Sequence, residues 1–267
     1  MDQRQPARVH PLATGVDLPY VEQGDPSGTA VVLLHPWGES MGCFDRLWPH
    51  LPAGIHALAM DQRGHGAADK PAHGYALADF AEDVVSFLDA AELDSAVLVG
   101  SSSGGYVAQQ VAVSWPHRVS GLVLLGSPRS LRGTPSFADE VNRLTDPIDR
   151  DWVARSLAWF PRFHDVPTSY VEDRIDDGTR MPAHVWRDAL RGLTTAEPPT
   201  ESGTITASTL IVWGERDELL ARSDEDALAV AIQGSRLVVY EATGHLVLWE
   251  QPERVARDLA EFVAKLT

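Results

Sequence analysis

The sequence predicts an α/β protein in which about eight mostly parallel strands are flanked by helices. Short apolar runs alternate along the chain with segments of helical periodicity, which is typical of βαβ units. The 267 residues, 44% of them hydrophobic, are enough to bury one sizeable core. The alternation stops between residues 127 and 206, which predicts a helical segment inserted into the α/β fold.

The strand candidates are short apolar runs bounded by turn residues. Residues 9–12 and 18–22 flank Thr14-Gly15 and could form an opening antiparallel hairpin. The later runs have the length of buried strands and lie at 31–34, 55–60, 96–99, 122–125, 210–213 and 237–240. Parallel strands need crossover connections, and helical patterns occur at 78–91, 105–115, 224–231 and 252–266. These helices fall where a parallel sheet requires them.

The segment 127–206 differs from the rest because aromatic residues appear there among Asp, Arg and Pro. We interpret it as a helical cap whose tail, 194–206, is a return linker rich in turn residues. Residues 1–126 and 207–267 would then form the α/β core. Substrate pockets are mostly apolar and aromatic, although any of these rings could simply pack the cap. The predicted substrate-binding residues are Trp37, Trp152, Trp159, Phe160 and Trp186.

Composition narrows the possible partners. The formal charge of −16 disfavours nucleic acid and anionic membranes, because both bind clustered Lys and Arg. Cys43 is the single cysteine, so no intramolecular disulfide can form and a reducing cytoplasm is expected. Residues 1–15 lack the apolar core of a signal peptide, and no stretch reaches the roughly 18 apolar residues of a membrane span. We expect a small-molecule substrate and a monomer or homodimer.

Ser102 is the candidate nucleophile because it alone has Gly at both the −2 and +2 positions of Gly100-Ser101-Ser102-Ser103-Gly104. This segment joins a strand candidate to a helix candidate, and a nucleophile on such a sharp turn leaves no room for larger neighbours. The helix start would aim its free N–H groups at developing negative charge. One oxyanion donor is then the N–H of Ser103. The second is expected from His35-Pro36-Trp37-Gly38, where Pro36 cannot donate and Trp37 can.

His245 is the candidate general base, since a serine hydroxyl needs one near pH 7. It follows the last strand candidate and precedes the last helix candidate. His65 is the alternative, although its flanking glycines favour a structural loop. Asp217 follows the strand candidate at 210–213 and would orient the imidazole. Glu215 and Glu218 are nearby carboxylates that we interpret as solvated charges.

The order Ser102, Asp217, His245, each after a predicted strand, resembles the α/β-hydrolase superfamily over essentially the whole chain. The segments that carry the resemblance are 35–38, 61–66, 100–105, 214–217, 244–245 and 250–252. The chain is most similar to small single-domain esterases and lactonases, although the family usually has His-Gly in place of His35-Pro36. The resemblance implies an acyl-enzyme on Ser102, an oxyanion on the N–H groups of Ser103 and Trp37, and no cofactor. Scattered His and carboxylates also lack metal-ligand spacing.

Several functions remain open within this resemblance. The expected activity is hydrolysis of a small apolar or aromatic carboxylic ester or lactone. Enol-lactone hydrolases, which take their acid after the seventh strand, match the placement of Asp217. The alternatives are a carbon–carbon bond hydrolase of dienoates, a cofactor-free haloperoxidase or perhydrolase, and a non-catalytic small-molecule receptor. Epoxide hydrolases and haloalkane dehalogenases carry Asp at the position of Ser102 and are not expected.

Overall fold

Eight strands form one sheet in the order β1-β2-β4-β3-β5-β6-β7-β8 in the computed structural model, which describes residues 7–266. The strands are β1 (Arg8–Pro11), β2 (Asp17–Gln23), β3 (Thr29–Leu34), β4 (Ile55–Met60), β5 (Ala96–Ser101), β6 (Val119–Leu125), β7 (Thr209–Gly214) and β8 (Arg236–Tyr240). β1 and β2 pair antiparallel, as does β2 with β4, and the other pairs are parallel. The predicted fold class is confirmed.

Three helices connect strands at the predicted places: α1 (Leu77–Ala90), α2 (Ser103–Ser114) and α8 (Arg222–Ala231). The fourth predicted helix, α10 (Pro252–Val263), follows β8 and the short α9 (Val247–Glu250). The observed ends differ from the predicted ones by a few residues. β5 continues through Gly100 and Ser101, which are not apolar but still pair through their backbones with β3 and β6. Apolar patterning therefore predicts the buried middle of a strand better than its end.

Alternate residues of each strand point to opposite faces of the sheet, so both faces are covered. Val32 of β3 packs in one apolar cluster with Phe87 of α1. Its neighbour Leu33 packs in a second cluster on the other face, with Leu259 of α10. Such runs of apolar residues buried on both faces are what a parallel sheet between two helical layers requires.

The segment between β6 and β7 contains five α-helices, one 3-10 helix (Leu157–Trp159) and, within the described chain, no strand. The α-helices are α3 (Ala138–Asn142), α4 (Arg150–Ser156), α5 (Thr168–Arg180), α6 (Ala183–Thr195) and α7 (Pro199–Ser202). Trp152 and Trp186 from these helices belong to the same apolar cluster as α1 and α2. The short α7 lies inside the predicted return linker. The division into an α/β core and a cap stays a prediction.

The topology brings three loops to one edge of the sheet. β5, β7 and β8 end shortly before Ser102, Asp217 and His245, respectively. These strands are parallel and, with β6, contiguous, so their carboxyl ends lie side by side. Loops that follow the carboxyl ends of parallel strands build the usual site of an open α/β sheet.

Among the helices of residues 7–266, none has the length and apolar character that crossing a bilayer requires. Residues 1–6, part of the terminus for which no signal peptide is predicted, lie outside the described residues. Cys43 is buried in the apolar cluster on the α10 side of the sheet, within a short 3-10 helix.

Candidate active site

The turn between β5 and α2 holds Ser102 in a strained backbone conformation, with φ 50° and ψ −121°. A side chain at Gly100 would place its Cβ 2.3 Å from the Cα of Gly105, and one at Gly104 would reach 2.3 Å from the carbonyl oxygen of Leu34. Both approaches are closer than real Cβ contacts allow, and neither partner is a flexible side chain. The glycines flanking Ser102 therefore have the steric purpose expected from the sequence.

Ser102 and His245 lie within hydrogen-bonding distance. The Ser102 Oγ is 3.0 Å from the His245 Nε2, and the His245 Nδ1 is 2.7 Å from the Asp217 Oδ2. The carboxylate can only accept, so Nδ1 carries the proton and Nε2 presents its lone pair to the Ser102 hydroxyl. This is the tautomer in which an imidazole can take a proton from serine.

The Asp217 carboxylate is held in place from its other side. Its Oδ1 accepts hydrogen bonds from the backbone N–H groups of Leu219 and Leu220 at 2.8 and 2.9 Å, and its side chain is fully buried. Glu215 is exposed and accepts from the N–H of Ala242 instead. Asp217, not Glu215, is therefore the carboxylate that contacts His245.

His65, the alternative base, lies in a different environment. It is 3% exposed, its Nδ1 is 2.9 Å from the carbonyl oxygen of Arg63, and its ring lies 5.1 Å from that of His35. Burial lowers the pKa of His65 to about 3, so its imidazole is neutral at physiological pH. The structure places His245, not His65, against the Ser102 hydroxyl.

The two residues predicted to form the oxyanion hole are in contact with each other. The N–H of Trp37 donates to the Ser103 Oγ at 2.7 Å. A substrate oxygen can use this N–H only when the Ser103 hydroxyl turns away or shares it. Sequence reasoning missed this contact, for which the only signal was a hydroxyl-bearing residue directly after Ser102.

The predicted substrate-binding aromatics divide into two groups. Phe160 stacks on the His245 ring, with centroids 5.4 Å apart and planes at 26°. The other four form a chain, in which the ring centroids of Trp37 and Trp186, Trp186 and Trp152, and Trp152 and Trp159 are 4.7, 5.1 and 5.9 Å apart. Trp152 and Trp186 are 8% and 3% exposed, so most of their surface packs against protein.

Phe137 is an aromatic residue that sequence reasoning missed. Its ring stacks on Trp159 at 4.4 Å and lies 5.9 Å from Trp37. It therefore contacts both ends of the tryptophan chain. Its position shortly after β6, at the start of the inserted segment, was the available signal.

Glu250 ties the His245 loop to the segment before α5. One carboxylate oxygen accepts from the N–H of Gly244 at 2.9 Å, and the other accepts from the N–H groups of Phe163 and His164 at 2.7 and 2.9 Å. This carboxylate fixes the backbone next to His245. In the sequence Glu250 was notable only as part of the family resemblance.

A small cavity of about 10 Å³, room for one water-sized group, adjoins the predicted oxyanion hole. Its lining residues are Trp37, Gln62, His65, Phe80, Ser103, Val107, Ala189 and Leu193. A larger cavity of about 620 Å³ lies between α5 and the segment 40–49, but Ser102, Asp217 and His245 do not line it. Ser102, Asp217 and His245 do not line the small cavity either, but Ser103 and Trp37, the two predicted oxyanion donors, both do.

Glu225 on α8 is a buried carboxyl group close enough to Asp217 to sense its charge. It is 0% exposed, and neither carboxyl oxygen has a hydrogen-bond partner among the described residues. Burial, followed by the negative charge of Asp217, raises the pKa of Glu225 to about 8. In the sequence it lies in Asp224-Glu225-Asp226, near the start of a predicted helix, and was not singled out.

Glu225→Gln should stabilise the protein at alkaline pH. The carboxyl pKa is raised in the folded chain from 4.5 to about 8, so wild type loses stability as the pH rises through this window. The amide variant has no such loss. We expect unfolding midpoints that agree at pH 5 and differ by at least about 4 °C at pH 9, followed by circular dichroism. The exposed Glu218→Gln is the control, and an equal gain at both pH values would contradict the explanation.

The chain is similar to known hydrolases. The sequence model of the alpha/beta hydrolase family matches residues 31–258. The chain is 28% identical to the 2-hydroxymuconate semialdehyde hydrolase of a Pseudomonas species over an alignment of 278 positions. The alignment covers 95% of this chain and 93% of that protein.

Two solved structures are similar over nearly their full length. An esterase from Exiguobacterium antarcticum has a TM-score of 0.86 at 23% identity, covering 97% of this chain and all (100%) of the other. The enol-lactonase from Burkholderia xenovorans has a TM-score of 0.82 at 19% identity, covering 96% of this chain and 100% of the other. At these identities the likeness concerns the fold.

Proposed function

The chain belongs to the alpha/beta hydrolase family, and on that premise we propose that it is a serine hydrolase of small neutral carboxylic esters or lactones. The observation that carries the proposal is the continuous hydrogen-bonded series from Ser102 through His245 to Asp217. A serine hydroxyl is a weak nucleophile near pH 7, and an adjacent base oriented by a buried acid is what activates it.

In the acylation step, the Ser102 Oγ attacks the substrate carbonyl carbon while its proton passes to the His245 Nε2. The carbonyl π electrons move onto oxygen, and the N–H groups of Ser103 and Trp37 stabilise this charge. Collapse of the intermediate breaks the bond to the leaving oxygen, which takes the proton from His245. In a lactone the leaving oxygen stays attached to the acyl chain.

In the deacylation step, water attacks the acyl carbonyl carbon and gives one proton to His245. The bond to the Ser102 Oγ breaks, the proton returns to that oxygen, and the carboxylic acid leaves. Throughout the cycle, Asp217 stays ionised and stabilises the imidazolium that forms at each proton transfer.

A neutral acyl group agrees with the charges around the site. The small cavity beside Ser103 has no Lys or Arg among its lining residues. The formal charge of the whole chain, −16, repels anions as they approach. Both features disfavour a substrate that carries a carboxylate near the scissile carbonyl.

A carbon–carbon bond hydrolase of dienoates is the second candidate. The specific observation in its favour is the 28% identity to the 2-hydroxymuconate semialdehyde hydrolase over nearly the whole chain. A dienoate carries a carboxylate, which the cavity beside Ser103, with about 10 Å³ and no Lys or Arg in its lining, does not accommodate. We therefore rank this activity below ester and lactone hydrolysis.

A substrate panel with purified protein tests the proposal. Short p-nitrophenyl esters and an aromatic lactone should be hydrolysed with a kcat/KM at least about tenfold above that for a yellow dienoate, whose bleaching reports carbon–carbon cleavage. A fluorophosphonate probe should label Ser102. Faster bleaching of the dienoate would favour the second candidate, and a folded protein that resists both the probe and the esters would not be a serine hydrolase.

A further inference from the structure

Three buried polar atoms without partners occur on the residues that line the small cavity beside Ser103. They are the Trp37 Nε1, the Gln62 Oε1 and the His65 Nε2, and none has a hydrogen-bond partner within residues 7–266. Buried polar groups are almost always hydrogen-bonded, so three unpartnered ones around one cavity need an explanation. We call this set the polar subsite.

The protonation of His65 decides what its Nε2 can do. The Nδ1 lies 2.9 Å from the carbonyl oxygen of Arg63, which can only accept, so Nδ1 carries the proton. Burial also lowers the pKa of His65 to about 3, which keeps the ring singly protonated. The Nε2 therefore has a lone pair and is an acceptor.

The orientation of the Gln62 amide follows from its own contacts. Its Nε2 donates to the carbonyl oxygen of His35 at 2.6 Å, and a flipped amide would set two oxygens against each other there. The backbone N–H of Gln62 also donates to the His35 Nε2 at 2.9 Å. The Gln62 Oε1 is thus a second acceptor, while the indole N–H of Trp37 is the single donor.

We propose that the polar subsite binds a hydroxyl group on the acyl part of the substrate, so that the preferred substrates are small hydroxyacyl esters or hydroxylated lactones. A hydroxyl accepts from the Trp37 N–H and donates to Gln62 or His65. Water has the same chemistry and occupies the subsite when the substrate lacks a hydroxyl. A carbonyl or carboxylate oxygen fits poorly, because it would face two lone pairs and can use only one donor.

The position of the leaving group decides which part of the substrate lies next to the polar subsite. The leaving oxygen has to face the His245 Nε2 to receive its proton. His245 does not line the cavity, whereas Ser103 and Trp37, which supply the proposed oxyanion donors, both do. The subsite therefore adjoins the carbonyl on the side away from the leaving group. This inference rests on the proposed ester or lactone hydrolysis.

The test compares two esters that differ by one hydroxyl, p-nitrophenyl 3-hydroxybutyrate and p-nitrophenyl butyrate. Wild type should prefer the hydroxylated ester by at least about tenfold in kcat/KM, because its hydroxyl replaces the water of the subsite, whose immobilisation costs free energy. The readout is the ratio of the two kcat/KM values. A general loss of active enzyme cancels from this ratio.

Two variants each remove one of the three polar atoms of the subsite. Trp37→Phe removes the indole N–H and keeps an aromatic ring. His65→Asn keeps a donor in the position of Nδ1, toward Arg63, and removes Nε2. Each should lower the ratio at least about fivefold, since one hydrogen bond to the substrate hydroxyl is lost. If His65→Asn fails to fold, Trp37→Phe still decides the question.

Thr200→Val is the matched control. Thr200 also has a buried polar side-chain atom without a partner among the described residues, but it does not line the cavity. The ratio of this variant should equal that of wild type. Two results would overturn the inference without contradicting ester hydrolysis. One is an equal kcat/KM for the two esters in wild type, and the other is an equal fall in the ratio in all three variants. Failure to hydrolyse either ester, without fluorophosphonate labelling, would overturn the proposed function itself.

Discussion

Ser102→Ala should lower the kcat/KM for p-nitrophenyl esters by at least about a thousandfold without unfolding the protein, because loss of a triad member costs several orders of magnitude. The variant removes only the oxygen that attacks the substrate. The turn, its glycines and the hydrogen bond from the Ser102 N–H to the carbonyl oxygen of Leu125 all remain. The residual rate comes from substrate binding and oxyanion stabilisation.

Ser101→Ala makes the same chemical change one residue earlier and is the control. The Ser101 backbone belongs to β5, whose pairing does not depend on the side chain. We expect this variant to retain at least about a tenth of wild-type kcat/KM, since the Ser101 hydroxyl is not part of the hydrogen-bonded series from Ser102 to Asp217. Activity above about a hundredth in Ser102→Ala, with circular dichroism unchanged, would contradict the assignment of the nucleophile.

Asp217→Asn should lower kcat by about 10⁴, because the amide favours the wrong tautomer of His245. An amide N–H facing the His245 Nδ1 turns that nitrogen into an acceptor and moves the proton to Nε2. Nε2 then has no lone pair for the Ser102 proton. The amide oxygen can still accept from Leu219 and Leu220, so the loop geometry should persist.

Glu215→Gln is the matched control for this carboxylate-to-amide change. Glu215 accepts from the N–H of Ala242 and is exposed, so its loss should alter kcat less than about threefold. Steady-state rates for both variants, measured on the same ester, decide between the two acids. A larger loss in Glu215→Gln than in Asp217→Asn would reassign the orienting acid.

Trp37 links several parts of the proposed mechanism. Its backbone N–H faces the Ser103 Oγ, its indole N–H belongs to the polar subsite, and its ring contacts Trp186 from the inserted helices. Movement of those helices would therefore displace the proposed oxyanion donor and the polar subsite together. Gly38 reinforces this link, because a Cβ there would lie 2.7 Å from the Trp186 ring.

The fold could be predicted from the sequence because the signals involved are local. A strand buried on both faces must be largely apolar, as at Ile55–Met60, where His56 is the exception, and the prediction matches that strand at both ends. The turn at Ser102 needs glycines wherever the strand and the helix approach each other, so it too can be read from neighbouring residues. The order of Ser102, Asp217 and His245 then follows from the order of the strands.

The contacts around these residues could not be predicted, because they join side chains far apart in the chain. Nothing local indicates that Glu250 binds the backbone at Phe163 and His164, or that the Ser103 hydroxyl reaches Trp37. Nor does the sequence around Glu225 indicate that its carboxyl group is buried. Its burial depends on how α8 packs and not on its neighbours in sequence.

The sequence by itself thus determined the α/β architecture, the three candidate triad residues and the glycines that position Ser102, since each depends on periodicity or on steric limits within a few residues. Only the tertiary structure decided which aromatic ring lies on His245, which carboxylate is buried, and where unpartnered polar atoms gather around a cavity. These properties arise from long-range packing, which sets the distance between a donor and an acceptor only after the whole chain has folded.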